Sequence, residues 1–196
     1  MHLLRGWTRR ERMNLPIIII IAVVVIVVLF VWSVYNNLAT GLVHIKEALS
    51  TIDIQLKRRV DLIPNLVETV KGYAKHEKNI FEEVTKARSA LMKADNLSSK
   101  AASNDMLTGA LKSLFAVAEN YPNLKASDNF KALQEELSDT ENKIAYARQF
   151  YNTNVRDYNT TLATFPSGMI GRAFGFTPRD FFEATDEERK VVNVKF

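Results

Sequence analysis

An unbroken apolar run near the amino terminus constrains this chain more than any other feature. Residues 17–34 read IIIIIAVVVIVVLFVWSV, and Ser33 is the only polar side chain among them. A helix rises about 1.5 Å per residue, so the run spans roughly 27 Å, close to the ~30 Å hydrocarbon core of a bilayer. Trp32 and Tyr35 stand at its far end, where amphipathic rings favour the headgroup layer. The run predicts a single membrane-spanning helix surrounded by lipid.

The flanking residues predict how the chain sits in the membrane. Residues 33–38 offer no small-residue cleavage site, so we interpret residues 16–35 as an uncleaved transmembrane signal anchor. The head, residues 1–15, holds four arginines, whereas residues 36–55 hold one basic side chain, Lys46. The positive-inside rule then predicts a cytoplasmic amino terminus and an extracytoplasmic domain at the inner (cell) membrane.

Charge and composition exclude several functions for the domain beyond the span. The chain has a formal net charge of +4, but residues 1–15 contribute +3 of it through four arginines and one glutamate. A nearly neutral domain does not attract phosphate backbones, so we expect no nucleic acid as a partner. Cysteine is absent, which excludes disulfides, thiol catalysis and cysteine-ligated metals.

Apolar residues beyond the span recur at helical spacing. The first stripe continues the span without a breaker and comprises Leu38, Leu42, Ile45, Leu49, Ile52 and Leu56. Asp61 is predicted to cap a second helix, residues 95–103 to form a polar loop, and Asn104 to cap a third helix. The predicted helices cover about residues 36–60, 62–94, 104–120 and 128–165.

These helices favour an all-α fold. Four amphipathic helices joined by short connections fold most simply as an antiparallel up-and-down four-helix bundle over residues 36–165. The transmembrane helix is expected to continue directly into the first bundle helix. An extended coiled coil between chains fits less well, because caps and breakers recur at the intervals of a bundle.

The carboxyl-terminal tail, residues 166–196, differs from the bundle in composition. Its glycines and prolines exclude a long helix, and its phenylalanines are too numerous for a disordered segment. We expect an irregular aromatic tail that packs over one end of its own bundle or docks on a partner or a neighbouring copy. The candidate contacts in it are Phe174, Phe176, Phe181, Phe182, Val194 and Phe196.

A basic run lies where the first bundle helix is predicted to end. Lys57, Arg58 and Arg59 there can neutralise the carbonyl end of the helix dipole. They can also contact an anion or a partner at the tip of the bundle, so we count them among the candidate partner contacts.

Polar residues at predicted core positions suggest a buried network between helices. Glu77 is expected to pair with Lys or Arg of another helix or with a hydroxyl. The Tyr-Asn pairs are expected to connect the first and fourth helices; they are Tyr35-Asn36, Tyr151-Asn152 and Tyr158-Asn159. The candidate members are Tyr35, Glu77, Arg88, Arg148, Tyr151, Asn152 and Tyr158.

Motifs that carry chemistry are missing from the sequence. His76-Glu77 begins like the zinc motif H-E-x-x-H, but Ile80 stands where the second histidine is needed. No Glu-x-x-His pair, G-x-S-x-G turn or glycine-rich phosphate loop occurs. We therefore expect no enzyme, no catalytic residues, no cofactor and no metal.

Several stretches resemble the bacterial LemA family. The longest is DIQLKRRVDLIPNLVETVKGYAKHE, residues 53–77. Supporting stretches are residues 118–126, 140–142, 147–148 and 194–196, with the two Tyr-Asn pairs. The resemblance covers about residues 30–196 and implies a single-span bacterial membrane protein with a four-helix domain, to which no catalytic residues carry over.

Two functional hypotheses follow. The first is a non-enzymatic, membrane-anchored scaffold or adaptor of the bacterial envelope, which associates with itself or with another membrane or envelope protein. The second is a ligand-binding or sensory helical domain, which would need a pocket with convergent polar groups. We expect such a sensor to lack an output module, because the head, residues 1–15, is short.

Overall fold

The computed structural model describes residues 15–182, and the regular structure in this range is α-helical. The helices are α1 (Leu15–Lys71), α2 (Lys78–Lys93), α3 (Leu97–Ala118), α4 (Pro122–Ala126), α5 (Asp128–Ala163) and α6 (Ser167–Ala173). They form two compact units. Among the described residues, the span unit takes in those up to His44 together with Arg156–Arg179, and the bundle unit takes in Ile45–Val155 together with residues 180–182.

The bundle unit has the predicted antiparallel four-helix arrangement. Its α1 segment and α3 run in one direction, while α2 and its α5 segment run in the other. The contacts that fix these directions join Lys71 to Phe81, Val60 to Arg88, Asp53 to Lys100, Arg59 to Asn104, Phe115 to Phe130, and Thr108 to Glu141. The all-α up-and-down bundle is therefore confirmed.

The core of the bundle unit follows the predicted helical spacing. One stripe of each helix is buried, and burial of these apolar side chains is the main favourable term in folding. Its largest fully buried members are Ile52, Ile63, Leu66, Val70, Val84, Leu107, Leu114, Leu124, Ile144 and Val155.

The first helix is longer than predicted. It continues through Asp61, the predicted cap, and through Pro64 as far as Lys71. Proline has no N–H to donate to the carbonyl four residues earlier, which here belongs to Val60. The Arg88 Nε atom donates to that carbonyl oxygen at 3.0 Å. A side chain of α2 thus replaces the missing backbone donor, and the helix ends only at Lys71.

The second and third predicted helices also have different limits. The predicted helix 62–94 is interrupted at residues 72–77, and Tyr73 there is exposed. The predicted loop 95–103 is mostly helix, because Asn96 caps α3 by accepting a 2.8 Å hydrogen bond from the Ser99 amide. Asn104 is therefore not a cap; it is buried within α3.

The span unit contains the apolar run within α1, the end of α5, and α6. In the described part of the chain, α1 is the helix long and apolar enough to cross a membrane, and its side chains from Ile17 to Phe30 are exposed. The protein localises to a membrane through this segment, whereas the orientation stays a prediction. Helix α6 packs on the end of α5 through Gly168, where a Cβ atom would lie 2.3 Å from the Leu162 carbonyl oxygen.

Candidate functional site

The basic run does not form the predicted exposed tip. Lys57, Arg58 and Arg59 lie inside α1, more than two turns before its end. Lys57 pairs with Asp61 at 2.8 Å, and Arg58 pairs with Glu136 and Asp139 of α5. The three side chains therefore serve separate interactions, and the dipole role predicted for a helix end does not apply.

Arg59 is a buried cation at the centre of the bundle unit. Its side chain is 3% exposed, its Nη2 atom lies 2.5 Å from a Glu141 carboxylate oxygen, and its Nη1 atom donates to the Asn104 side chain at 2.8 Å. Burial lowers the pKa of the Arg59 guanidinium, and the Glu141 charge opposes that shift. Because arginine stays protonated in proteins, Arg59 of α1 forms an ion pair with Glu141 of α5. The hydrogen bond from Arg59 to Asn104 adds α3 to this contact.

A groove opens beside this ion pair. It has a volume of about 380 Å³, and its lining includes Arg59, Thr108, Leu111, Phe115, Leu137 and Glu141. Both terminal nitrogens of Arg59 already have partners within the protein, and Glu141 neutralises its charge. The groove therefore presents no unpaired guanidinium nitrogen at the end of this side chain to a ligand. Among the residues that the structure describes, no group of three or more His, Asp and Glu side chains could hold a metal ion.

The predicted buried network is dispersed rather than continuous. Glu77 accepts a hydrogen bond from the Tyr121 hydroxyl at 3.2 Å, so its partner is a hydroxyl, one of the two kinds expected. Burial and this carboxylate raise the pKa of Tyr121. Arg88 donates to the Val60 carbonyl oxygen. Among the hydrogen bonds defined for the described residues, neither Arg88 nor Arg148 is a partner of Glu77.

The Tyr-Asn pairs of α5 bind the tail through hydrogen bonds. Tyr158 also packs against α1, since a Cβ atom added at Gly41 would lie 3.2 Å from its ring, so the predicted connection between these two helices is present there as an apolar contact. In the span unit, the Tyr158 hydroxyl donates to the Thr177 carbonyl at 3.0 Å. Asn159 donates to the Arg179 carbonyl at 2.8 Å and accepts from the Arg179 amide at 2.9 Å. Burial raises the pKa of Tyr158, and Arg179 opposes the shift.

The bundle unit repeats this arrangement seven residues earlier on α5. The Tyr151 hydroxyl donates to the Asp180 carbonyl at 3.0 Å. Asn152 donates to the Phe182 carbonyl at 3.0 Å and accepts from the Phe182 amide at 2.8 Å. The Arg148 guanidinium lies 4.9 Å from the centroid of the buried Phe182 ring. An asparagine amide carries one donor group and one acceptor, so it can satisfy both backbone groups of one residue.

These contacts resolve part of the open question about the tail. As far as residue 182, the tail docks on its own chain. Phe182 is buried, whereas Phe181 is exposed. Val194 and Phe196 lie outside the described residues. Asn159 belongs to a predicted Tyr-Asn pair but was not among the candidate members of the network, and it binds the tail in the same way as Asn152.

The other tail phenylalanines lie beside Tyr35 in the span unit. The Tyr35 ring centroid is 5.3 Å from that of Phe174 and 5.6 Å from that of Phe176, both in edge-to-face geometry. Tyr35 is exposed, so it belongs to this aromatic cluster rather than to a buried polar network.

An exposed aromatic pair on α5 was also missed. Tyr146 is 72% exposed and Phe150 is 48% exposed, and they are one helical turn apart. Residues at i and i+4 lie on the same helix face, so their side chains are neighbours. The sequence signal was two aromatic residues four positions apart, neither of which belongs to the predicted core positions of that helix. We call them the α5 aromatic pair.

Comparisons with known proteins show a family match and several relatives. The sequence model of the LemA family matches residues 48–196. Magnetosome protein MamQ of Magnetospirillum gryphiswaldense is 24% identical over 174 residues, which cover 76% of this chain and 64% of MamQ. Protein LemA of Metamycoplasma hominis is 27% identical over 165 residues, which cover 81% of this chain and 73% of that protein. The chain thus spans less than two thirds of the length of MamQ.

Proposed function

The chain belongs to the LemA family, and from this premise we propose that it is a non-enzymatic, membrane-anchored scaffold of the bacterial envelope. Its partner would be another copy of itself or a different membrane or envelope protein. The α5 aromatic pair carries the proposal, because it is an exposed apolar surface on a helix whose opposite side is packed in the bundle.

The α5 aromatic pair has the composition of a protein interface. Single exposed apolar residues are normal on protein surfaces, but aromatic side chains supply most of the binding energy at interfaces. Tyrosine also presents a hydroxyl, which suits a surface that is wet when free and buried when bound. Tyr146 and Phe150 together therefore form the centre of a small contact surface.

Charged residues lie next to the pair on the same helix. Lys143 is one turn before Tyr146 and pairs with Asp139 at 2.8 Å. Arg58 of α1 joins Asp139 at 3.2 Å. An apolar centre with a polar rim is the usual anatomy of an interface between proteins. The rim would orient a partner, and the aromatic rings would supply the affinity.

The sensory alternative has less support, because Glu141 and Asn104 already occupy the terminal nitrogens of Arg59 beside the groove. A ligand that displaced Asn104 or Glu141 would remove a partner of a buried cation, which is unfavourable.

Photocrosslinking in native membranes tests the scaffold proposal. A photoreactive phenylalanine analogue replaces Tyr146 or Phe150 in the full chain, and exposed Glu82 of α2 serves as the matched control position. We expect adducts of defined mass from positions 146 and 150 and none from position 82. Mass spectrometry of the adducts then distinguishes a second copy from a different protein.

A substitution series adds a quantitative reading. Tyr146→Ser with Phe150→Ser should lower adduct formation from a neighbouring position, Gln149, at least about tenfold, because interface aromatics contribute ~2 kcal/mol or more each. Far-UV circular dichroism should show unchanged helicity. Equal adduct yields at 146, 150 and 82, or no adducts in a folded chain, would contradict the proposal.

A further inference from the structure

Helix α6 and its flanking residues bury glycines and expose large apolar side chains, which is the reverse of the usual pattern in water. Gly168 and Gly171 are buried, whereas Phe165, Met169 and Phe174, in and beside the helix, are 83%, 63% and 55% exposed. A helix in water buries its large apolar side chains, since that burial stabilises the fold. The outward side of this segment is therefore suited to apolar surroundings.

The contacts of this segment place it at the end of the membrane span. Gly171 packs against Leu38 of α1, where an added Cβ atom would lie 2.8 Å from Leu38 Cδ1. Leu38 is four residues beyond Val34, the last residue of the apolar run, or about 6 Å along the helix axis. The Phe174 ring meets Tyr35, the residue directly after the run. All of these residues belong to the span unit.

The depth of this position matches the headgroup layer. The polar layers of a bilayer add roughly 5–8 Å on each side of the hydrocarbon core, and Trp and Tyr are enriched there. Amphipathic helices that lie in this layer bury their apolar side ~5–10 Å deep. A helix that packs about one turn beyond the span lies at the depth of this layer.

The charge of the segment agrees with this location. Residues 158–179 contain Arg172 and Arg179 but no Asp or Glu, and Asp157 and Asp180 lie directly outside this range. Both arginines are exposed. Basic side chains near a membrane surface are attracted to anionic lipid headgroups, each by about 1 kcal/mol. A segment with carboxylates in the same place would be repelled.

We propose that residues 165–176 form a second membrane contact, in which Phe165, Met169 and Phe174 insert into the headgroup layer beside the end of the span. The occupant of this apolar surface is the lipid bilayer itself, because the surface is continuous with the membrane span of the same unit. The contact fixes α6 at the membrane surface. It goes beyond the scaffold role and does not depend on it.

The absence of cysteine makes the test direct. A single cysteine replaces Met169 in the otherwise natural full chain and carries an environment-sensitive fluorophore. Met92 of α2 is the matched control, because it is also a methionine and is 61% exposed. Both proteins are reconstituted in vesicles of phosphatidylcholine and phosphatidylglycerol. Half of the vesicles contain lipids with a nitroxide quencher near the headgroup.

We expect the fluorophore at position 169 to lose most of its emission to the lipid quencher and the one at position 92 to keep nearly all of it. Phe174→Cys provides an independent second reading, and far-UV circular dichroism verifies that each labelled chain is folded. Equal, weak quenching at 169 and 92 would overturn the proposal. Protection from aqueous iodide without lipid quenching would also overturn it, because that surface would then be covered by protein.

Discussion

Helices α2 and α6 bury different kinds of residue. Helix α2, in the bundle unit, buries Phe81, Val84, Ala87 and Leu91, turns most of its charges outward and exposes Met92. Helix α6, in the span unit, buries glycines and exposes Met169. The same hydrophobic effect explains both patterns if water surrounds α2 and lipid meets α6. The difference shows that one chain is built for two solvents.

The largest effect is expected from placing a charge on the buried side of α2. Val84→Asp puts a carboxylate at a fully buried position without a partner, so we expect a loss of roughly 4 kcal/mol or more in the free energy of unfolding. Urea titration of the full chain in detergent micelles, followed by far-UV circular dichroism, measures it.

Met169→Asp is the matched substitution on α6. Because this side chain is exposed and lies at the proposed interface, the free energy of unfolding in micelles should change by no more than ~1 kcal/mol. If Met169→Asp destabilised the chain as much as Val84→Asp, the outward side of α6 would be part of a protein core, and the comparison would fail.

The bundle was predictable because its apolar spacing is regular, but the helix limits were not. Pro64 marks a helix start in a local reading of the sequence. It is tolerated inside α1 because Arg88, 24 positions later, supplies the missing donor to Val60. That contact exists only after α2 has packed against α1, so no local pattern contains it.

The error at Pro64 also explains the error at Arg59. If α1 is continued to Lys71, a regular 4-3-4-3-4 stripe runs through Ile52, Leu56, Arg59, Ile63, Leu66 and Val70, and all six are buried. The spacing therefore marks Arg59 as a core position once the helix limit is known. A helix that ends near residue 60 instead places Arg59 at an exposed tip, as we predicted.

The tail site was predictable in its residues but not in its partners. The repeat of Tyr151-Asn152 and Tyr158-Asn159 was evident in the sequence, and it was assigned to contacts between helices. Their partners are backbone groups of residues 177–182, which carry no side-chain signal. Backbone recognition of this kind becomes visible only in a structure.

An intermediate effect is expected at the glycine that lets α6 approach α5. Gly168→Ala would place a Cβ atom 2.3 Å from the Leu162 carbonyl oxygen, which is backbone and cannot rotate away. We expect a loss of about 1–3 kcal/mol, because overpacking forces the backbone to shift. Hydrogen exchange with mass spectrometry should show faster exchange in peptides that cover residues 163–175.

Gly109→Ala is the control in the bundle unit. An added Cβ atom there meets nothing within 4 Å, and Gly109 lies inside α3. Alanine should stabilise that helix by about 0.5–1 kcal/mol. Unchanged exchange in residues 163–175 of Gly168→Ala would mean that α6 does not depend on this close approach.

The smallest effect is expected at the water-facing charges of the bundle unit. The hydrogen bond from Lys143, together with the nearby charge of Arg58, lowers the pKa of Asp139. The unfolded chain therefore binds a proton at this site more readily than the folded chain. The resulting stability is present above the ordinary aspartate pKa and is lost as the pH falls through the lowered value.

Urea midpoints measured between about pH 6 and pH 3 test this, since the ordinary aspartate pKa is near 3.9. Asp139→Asn should flatten part of the acid slope of the midpoint, whereas Asp157→Asn removes the same charge from the span unit and should leave that part in place. Salt should weaken the Asp139 effect, because these charges are exposed to solvent. If the pH dependence of the urea midpoint were unchanged in Asp139→Asn, acid would act on other carboxylates. The charges around Arg58 would then contribute no measurable stability to the bundle unit.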